Sequence, residues 1–139
     1  MEKTIEYINI GYVSLLSIYH VFTGVISMFF PNFAFHFYKK FYGCDPLSKD
    51  MLVIVLKPWG ALSIFAGIMG LFAVYDPERY IGVIVSLVLL LFLRIYYRLF
   101  FEKDLYSKGK ISPLRNRINV SLLFIGCCIL ISWLIRIVF

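Results

Sequence analysis

The chain has 139 residues and a formal net charge of +6; 61% of its residues are hydrophobic, 19% aromatic and only 16% charged. A soluble domain carries about a quarter charged residues, and the mean hydropathy of +0.85 excludes a single water-soluble core. Four runs, 8–30, 51–75, 80–101 and 118–139, reach the roughly 20 apolar residues that a bilayer crossing requires.

The first run is too long for the apolar core of a cleavable signal peptide, which spans about 7–15 residues. Bulky "MFFPNF" follows it where a cleavage site would need small side chains. His20 lies ten residues before Phe30, near the midplane of that span. A lone intramembrane histidine reads first as a packing residue and second as a ligand or proton-handling group.

After Pro31 the pattern changes. In "NFAFHFYKKFYG", Phe33, Phe37 and Phe41 recur every four residues, with His36, Lys39 and Lys40 on another side. That spacing predicts an amphipathic helix over 32–42, closed by Gly43 and lying in the membrane interface. Its lysines would meet headgroups while its aromatics enter the acyl boundary.

Asp45-Pro46, Asp76-Pro77 and Ser112-Pro113 each place a capping side chain before a proline. These pairs predict helix starts near Pro46, Pro77 and Pro113. Within the second run Ser63 and Gly67, and Ala66 and Gly70, are small residues four apart, a spacing that lets helix backbones approach. The fourth run repeats the idea with Ser121, Cys128 and Ser132. The third run, nearly all bulky aliphatics, reads as the most lipid-exposed. Cys44, Cys127 and Cys128 form no redox or metal-ligand spacing and read as reduced.

Charge sets the orientation. Segments 31–50 and 102–117 fall on one side and carry Lys39, Lys40, Lys49, Lys103, Lys108, Lys110, Arg115 and Arg117. The other side has Lys3, Arg79 and Arg136. The positive-inside tendency places the basic side in the cytoplasm of a bacterial inner membrane and both termini outside. The net positive charge is then a topology signal, and nucleic-acid binding is a poor account of it.

Depth follows from the helical rise of about 1.5 Å per residue. Lys57 lies roughly 9 Å and Arg94 roughly 10 Å inside the cytoplasmic boundary, and neither has a carboxylate within its span. Either they snorkel to lipid phosphates, or they face inward toward something anionic. Pro58 withdraws a backbone donor beside Lys57 and is expected to kink the helix and free carbonyls for the ammonium. Lys57, Arg94, Arg98, Tyr97, His20 and Trp59 therefore form the candidate ligand-binding set.

Familiar chemistries are missing from the sequence. Two transmembrane histidines for a haem, a membrane carboxylate for cation exchange, a spaced cysteine pair and a nucleotide loop are all absent. No catalytic residue, metal ligand or cofactor is assigned.

"YHVFTGV" in the first span and "LKPWGALSIFAGIMGLFAVYDPERY" from the second into the third resemble the DoxX-like group of small four-helix membrane proteins. The resemblance implies their fold and carries over no catalytic residue; the aromatic helix between the first two spans departs from the simplest pattern. The expectation is an all-α, four-transmembrane-helix antiparallel bundle with a short amphipathic interfacial helix between helices 1 and 2. Its expected role is a non-catalytic integral subunit or accessory factor of a membrane complex, with protein partners or copies of itself in the lipid bilayer. The alternative is a binder or carrier of an anionic lipid or quinone-like amphiphile.

Overall fold

The computed structural model describes residues 2–42, 49–107 and 111–139, with side chains described for 4–40, 54–107 and 111–139. Every described element is a helix: α1 (Glu2–Phe29), α2 (Pro31–Tyr42), α3 (Lys49–Tyr75), α4 (Ile81–Phe100), α5 (Glu102–Ser107) and α6 (Pro113–Val138). Four of them, over Thr4–Phe29, Ile54–Tyr75, Ile81–Phe100 and Pro113–Val138, are long and apolar enough to cross a membrane. The expected starts at Asp45-Pro46 and the closing Gly43 lie outside the described residues, as does Cys44.

Only Phe30 separates α1 from α2. Its N–H bonds the Ile26 carbonyl and its own carbonyl accepts from Ala34, each at 2.9 Å, so the hydrogen-bond ladder nearly bridges the break. Pro31 forces the break because it lacks an N–H and its ring crowds the preceding turn, yet it suits the first position of a new helix. On α2, Ala34 is fully buried and packs with Ile26 of α1 and Leu56 of α3, with Phe37 and Tyr38 alongside.

α1 and α3 make the most extensive helix pair, and α4 with α6 the second. Along the first pair, Gly60 meets Gly24, Gly67 meets Ser17 and Val21, and Gly70 meets Ser17. Rising numbers on α3 meet falling numbers on α1. In both helices the key small residues recur at seven, two turns, which keeps them on one stripe. The second pair joins through Ile84, Leu87 and Leu91 of α4 and Leu123, Cys127, Leu130 and Trp133 of α6. Val13 and Ala73 tie this cluster to the first pair. α4 buries the smallest share of its span of the four.

One helix start differs from expectation, and another falls where expected without the expected side-chain cap. Residues 77–80 form a turn, and α4 begins at Ile81 after Tyr80. The Asp76 carboxylate accepts the Arg79 N–H at 3.1 Å, so it organises the turn and leaves the helix uncapped. Ser112 does precede Pro113 at the start of α6, but its side chain makes no capping bond. Its carbonyl instead accepts the Asn116 N–H at 2.9 Å. α3 runs through Pro58 as one helix. The short α5 has no counterpart in the sequence reading, although Glu102 and Asp104 in its first turn are the acids that favour a helix start.

Candidate functional site

Between the two helix pairs, at the end that carries α2 and α5, lies a cavity of about 470 Å³. α1 contributes Tyr19, His20 and Thr23; α3 contributes Leu56, Trp59 and Ser63; α4 contributes Leu93, Arg94, Tyr97 and Arg98. Tyr38 of α2 closes one side, with Leu105 and Ile111 on another. Five of the six candidate ligand-binding residues, His20, Trp59, Arg94, Tyr97 and Arg98, thus share one cavity wall. Lys57 does not line it and is exposed.

The wall is mostly apolar and aromatic, with few polar groups, as ligand sites generally are. Arg94 and Arg98 are half-buried, and among the described residues no acidic side chain lines the cavity. The two arginines are held differently. Arg98 Nη1 donates to Asn116 Oδ1 at 2.8 Å, while Asn116 Nδ2 faces the Arg98 carbonyl at 3.4 Å and the Tyr106 hydroxyl at 3.5 Å. Tyr106 in turn donates to the Glu102 carboxylate. That bond to a carboxylate holds the Tyr106 phenol above its ordinary range, because ionising it would set two anions together. Arg98 is therefore one end of a chain that pins α4 to α6 and α5. Arg94 makes no hydrogen bond or ion pair among the described residues.

His20 and Ser63 cross-link α1 to α3. Ser63 Oγ donates to the His20 carbonyl at 2.9 Å and lies 3.1 Å from His20 Nδ1. Nearby, Ser27 Oγ donates to the Thr23 carbonyl at 2.6 Å and lies 2.9 Å from the Tyr38 hydroxyl, which also reaches that carbonyl at 3.5 Å. Tyr19 meets the His20 ring edge-on, with centroids 5.6 Å apart.

A second cavity of about 360 Å³ shares Tyr19 and Arg94 and adds Arg115 and Asn119 of α6. Arg115 also donates to the Lys40 carbonyl at 2.6 Å, which ties α6 to the end of α2. A larger cleft of about 540 Å³ lies elsewhere, between α3 and the start of α4, on apolar side chains such as Phe65 and Leu90. It holds none of the candidate ligand-binding residues.

The other candidates distribute as follows. Ser63, Gly67 and Gly70 are buried against α1, and Ala66 is half-buried at the 540 Å³ cleft. On α6, Ser121 and Cys128 are exposed and Ser132 half-buried; the buried small residues there are Gly126 and Cys127. On α2, Phe33, Lys39 and Lys40 are exposed, and Phe37 packs edge-on against Phe22 at 6.3 Å. The Phe41 side chain lies outside the described residues.

Sequence reasoning did not single out Gly24, Gly60, Thr23, Tyr38 or Asn116. Gly24 and Gly60 were within reach, since each lies seven residues from Ser17 and Gly67 respectively, the period of a packing stripe. Among the described residues no three His, Cys, Asp or Glu side chains gather as a metal site. No protein-family model, no curated protein and no solved structure matches this chain.

Proposed function

We propose that this chain is an integral membrane protein that holds an anionic amphiphile in the cavity bounded by Arg94 and Arg98. The four apolar helices cross the bilayer as an antiparallel bundle, α2 lies in the interface, and the basic end faces the cytoplasm. The layout of the four spans follows the DoxX-like resemblance. Support for the membrane setting comes from large apolar side chains exposed on every long helix, among them Leu15, Ile18, Leu62, Phe65, Leu89, Phe92, Leu122 and Phe124. Such surface is expected where the solvent is lipid, because monomeric soluble proteins rarely expose contiguous apolar patches of that extent.

One observation carries the binding reading. Arg94 is a half-buried cation without a partner among the described residues, on the wall of a largely apolar cavity that none of their acidic side chains lines. Intramembrane cations are costly and pair with something. An anionic headgroup supplies the charge, and the aromatic wall of Trp59 and Tyr97 suits the first part of its chains. The test uses Trp59 as reporter in a Trp133→Phe background, since the chain has only these two tryptophans. A brominated anionic lipid is expected to quench it at low mole fraction, and Arg94→Leu to remove that quenching.

A second reading, the accessory subunit, is favoured by Ser121 and Cys128, small residues left exposed on α6. It predicts a stoichiometric partner in a mild-detergent pull-down with native sizing. A clean monomer or homodimer would count against it.

A further inference from the structure

Arg94 and Tyr19 line two cavities, the 470 Å³ space walled also by α3 and the 360 Å³ space walled also by α6. Arg94 is therefore a shared wall, and the α6 side has polar groups of its own, Arg115 and Asn119. Asn119 lies six residues after Pro113 and Arg94 six before Phe100, so both sit about 9 Å from the same end of the bundle. Asn119 is half-buried, and its amide makes no hydrogen bond among the described residues. Arg115 gives one N–H to the Lys40 carbonyl at 2.6 Å, which leaves the rest of its guanidinium fork to other acceptors. Among the described residues no acidic side chain lines either cavity.

We propose that the amphiphile is a lipid whose head carries two phosphate groups held apart by a linker, one in each cavity, with Arg94 between them. The proposal rests on reading the first cavity as an amphiphile site. A guanidinium is a planar fork of several N–H donors, each suited to a phosphate oxygen, so one arginine can serve anions on two sides. Arg115 and the Asn119 amide complete the contacts to the second phosphate, and Arg115 balances its charge. A lipid with one phosphate meets Arg94 from one side only and leaves the donors on the α6 side unmet. A directly linked diphosphate keeps its two groups together and uses one cavity. Basic pockets between membrane helices at the cytoplasmic side receive multiply charged heads of this kind.

Native mass spectrometry of the full-length protein with two lipids of the same acyl chain tests this. Dilysocardiolipin has two phosphates and two chains; phosphatidylglycerol has one phosphate and two chains. Wild type is expected to retain the first about tenfold over the second, the effect of one further charge-assisted contact. Arg115→Gln, which keeps a donor toward the Lys40 carbonyl and removes the charge, is expected to bring that ratio near one. If it does not fold, Asn119→Leu, which leaves the Lys40 contact alone, is expected to lower the same ratio. Lys103→Gln removes an exposed cation outside both cavities and is expected to leave the ratio unchanged. Equal retention of the two lipids by wild type overturns the two-phosphate assignment. So does an unchanged ratio in the α6 variant that folds, or an equal fall in Lys103→Gln. Two phosphatidylglycerols on one chain, one of them lost in Arg115→Gln, overturn the single two-phosphate head. If Arg94→Leu still loses both lipids in any of these cases, the cavity reading stands alone. If wild type retains neither lipid, both fall.

Discussion

A β-carbon on Gly60 would stand 2.7 Å from the carbonyl oxygen of Gly24, and at the same distance from the Met28 backbone nitrogen. Backbone cannot yield as a side chain tip can, so α1 and α3 hold their spacing only with glycine at both positions. Gly60→Ala is expected to destabilise by about 1–3 kcal/mol, the usual cost of overpacking. Gly82→Ala is the control, because a β-carbon there meets nothing within 4 Å. It is expected to be neutral or to stabilise by up to about 1 kcal/mol through helix propensity. Thermal unfolding of both variants in one detergent checks the contrast.

Asn116 is 2% exposed and gives Arg98 an acceptor at 2.8 Å. Asn116→Ala removes that acceptor and the amide facing the Arg98 carbonyl, and is expected to cost about 1.5–3 kcal/mol. Asn116→Asp keeps an acceptor of opposite charge to Arg98 and is expected to cost less. The same unfolding assay orders the two; a harmless Asn116→Ala would show that the α4–α6 chain is not a structural tie.

How much of this was legible in the sequence depends on whether depth or direction was asked for. Hydropathy located the four long helices, and depth along them put Lys57 and Arg94 in the cytoplasmic half of the bilayer with His20 near the midplane. Depth could not say where Lys57 points. One residue turns a helix by about 100°, and the buried stripe of α3 runs through Leu56, Gly60, Ser63, Gly67 and Gly70. Lys57 follows Leu56 and so faces away. That stripe was partly named, and reading it together with depth would have separated Lys57 from Trp59. On α6 small size alone did not select a face, since Cys127 is buried and Cys128 exposed. Tyr38 was beyond reach, because it enters the cavity from α2, whose position against α1 and α3 is a tertiary fact.

Orientation is open to direct labelling. With the basic end in the cytoplasm, a cysteine placed at Glu78 is expected to react with a membrane-impermeant maleimide added to intact cells. One placed at Lys103 is expected to react only after permeabilisation. Both are made with the native cysteines replaced, and the reverse pattern would invert the topology drawn from the charge bias.

The central claim is that Arg94, and not Lys57, holds an anion within the bundle. Lipid analysis of the purified protein, wild type against Arg94→Leu and Lys57→Met, tests it most directly. Arg94→Leu is expected to lower the co-purified anionic phospholipid by about tenfold, the loss of one charge-assisted contact. Lys57→Met is expected to leave it at the wild-type level. Undiminished anionic lipid in Arg94→Leu, or an equal loss in Lys57→Met, would contradict the account.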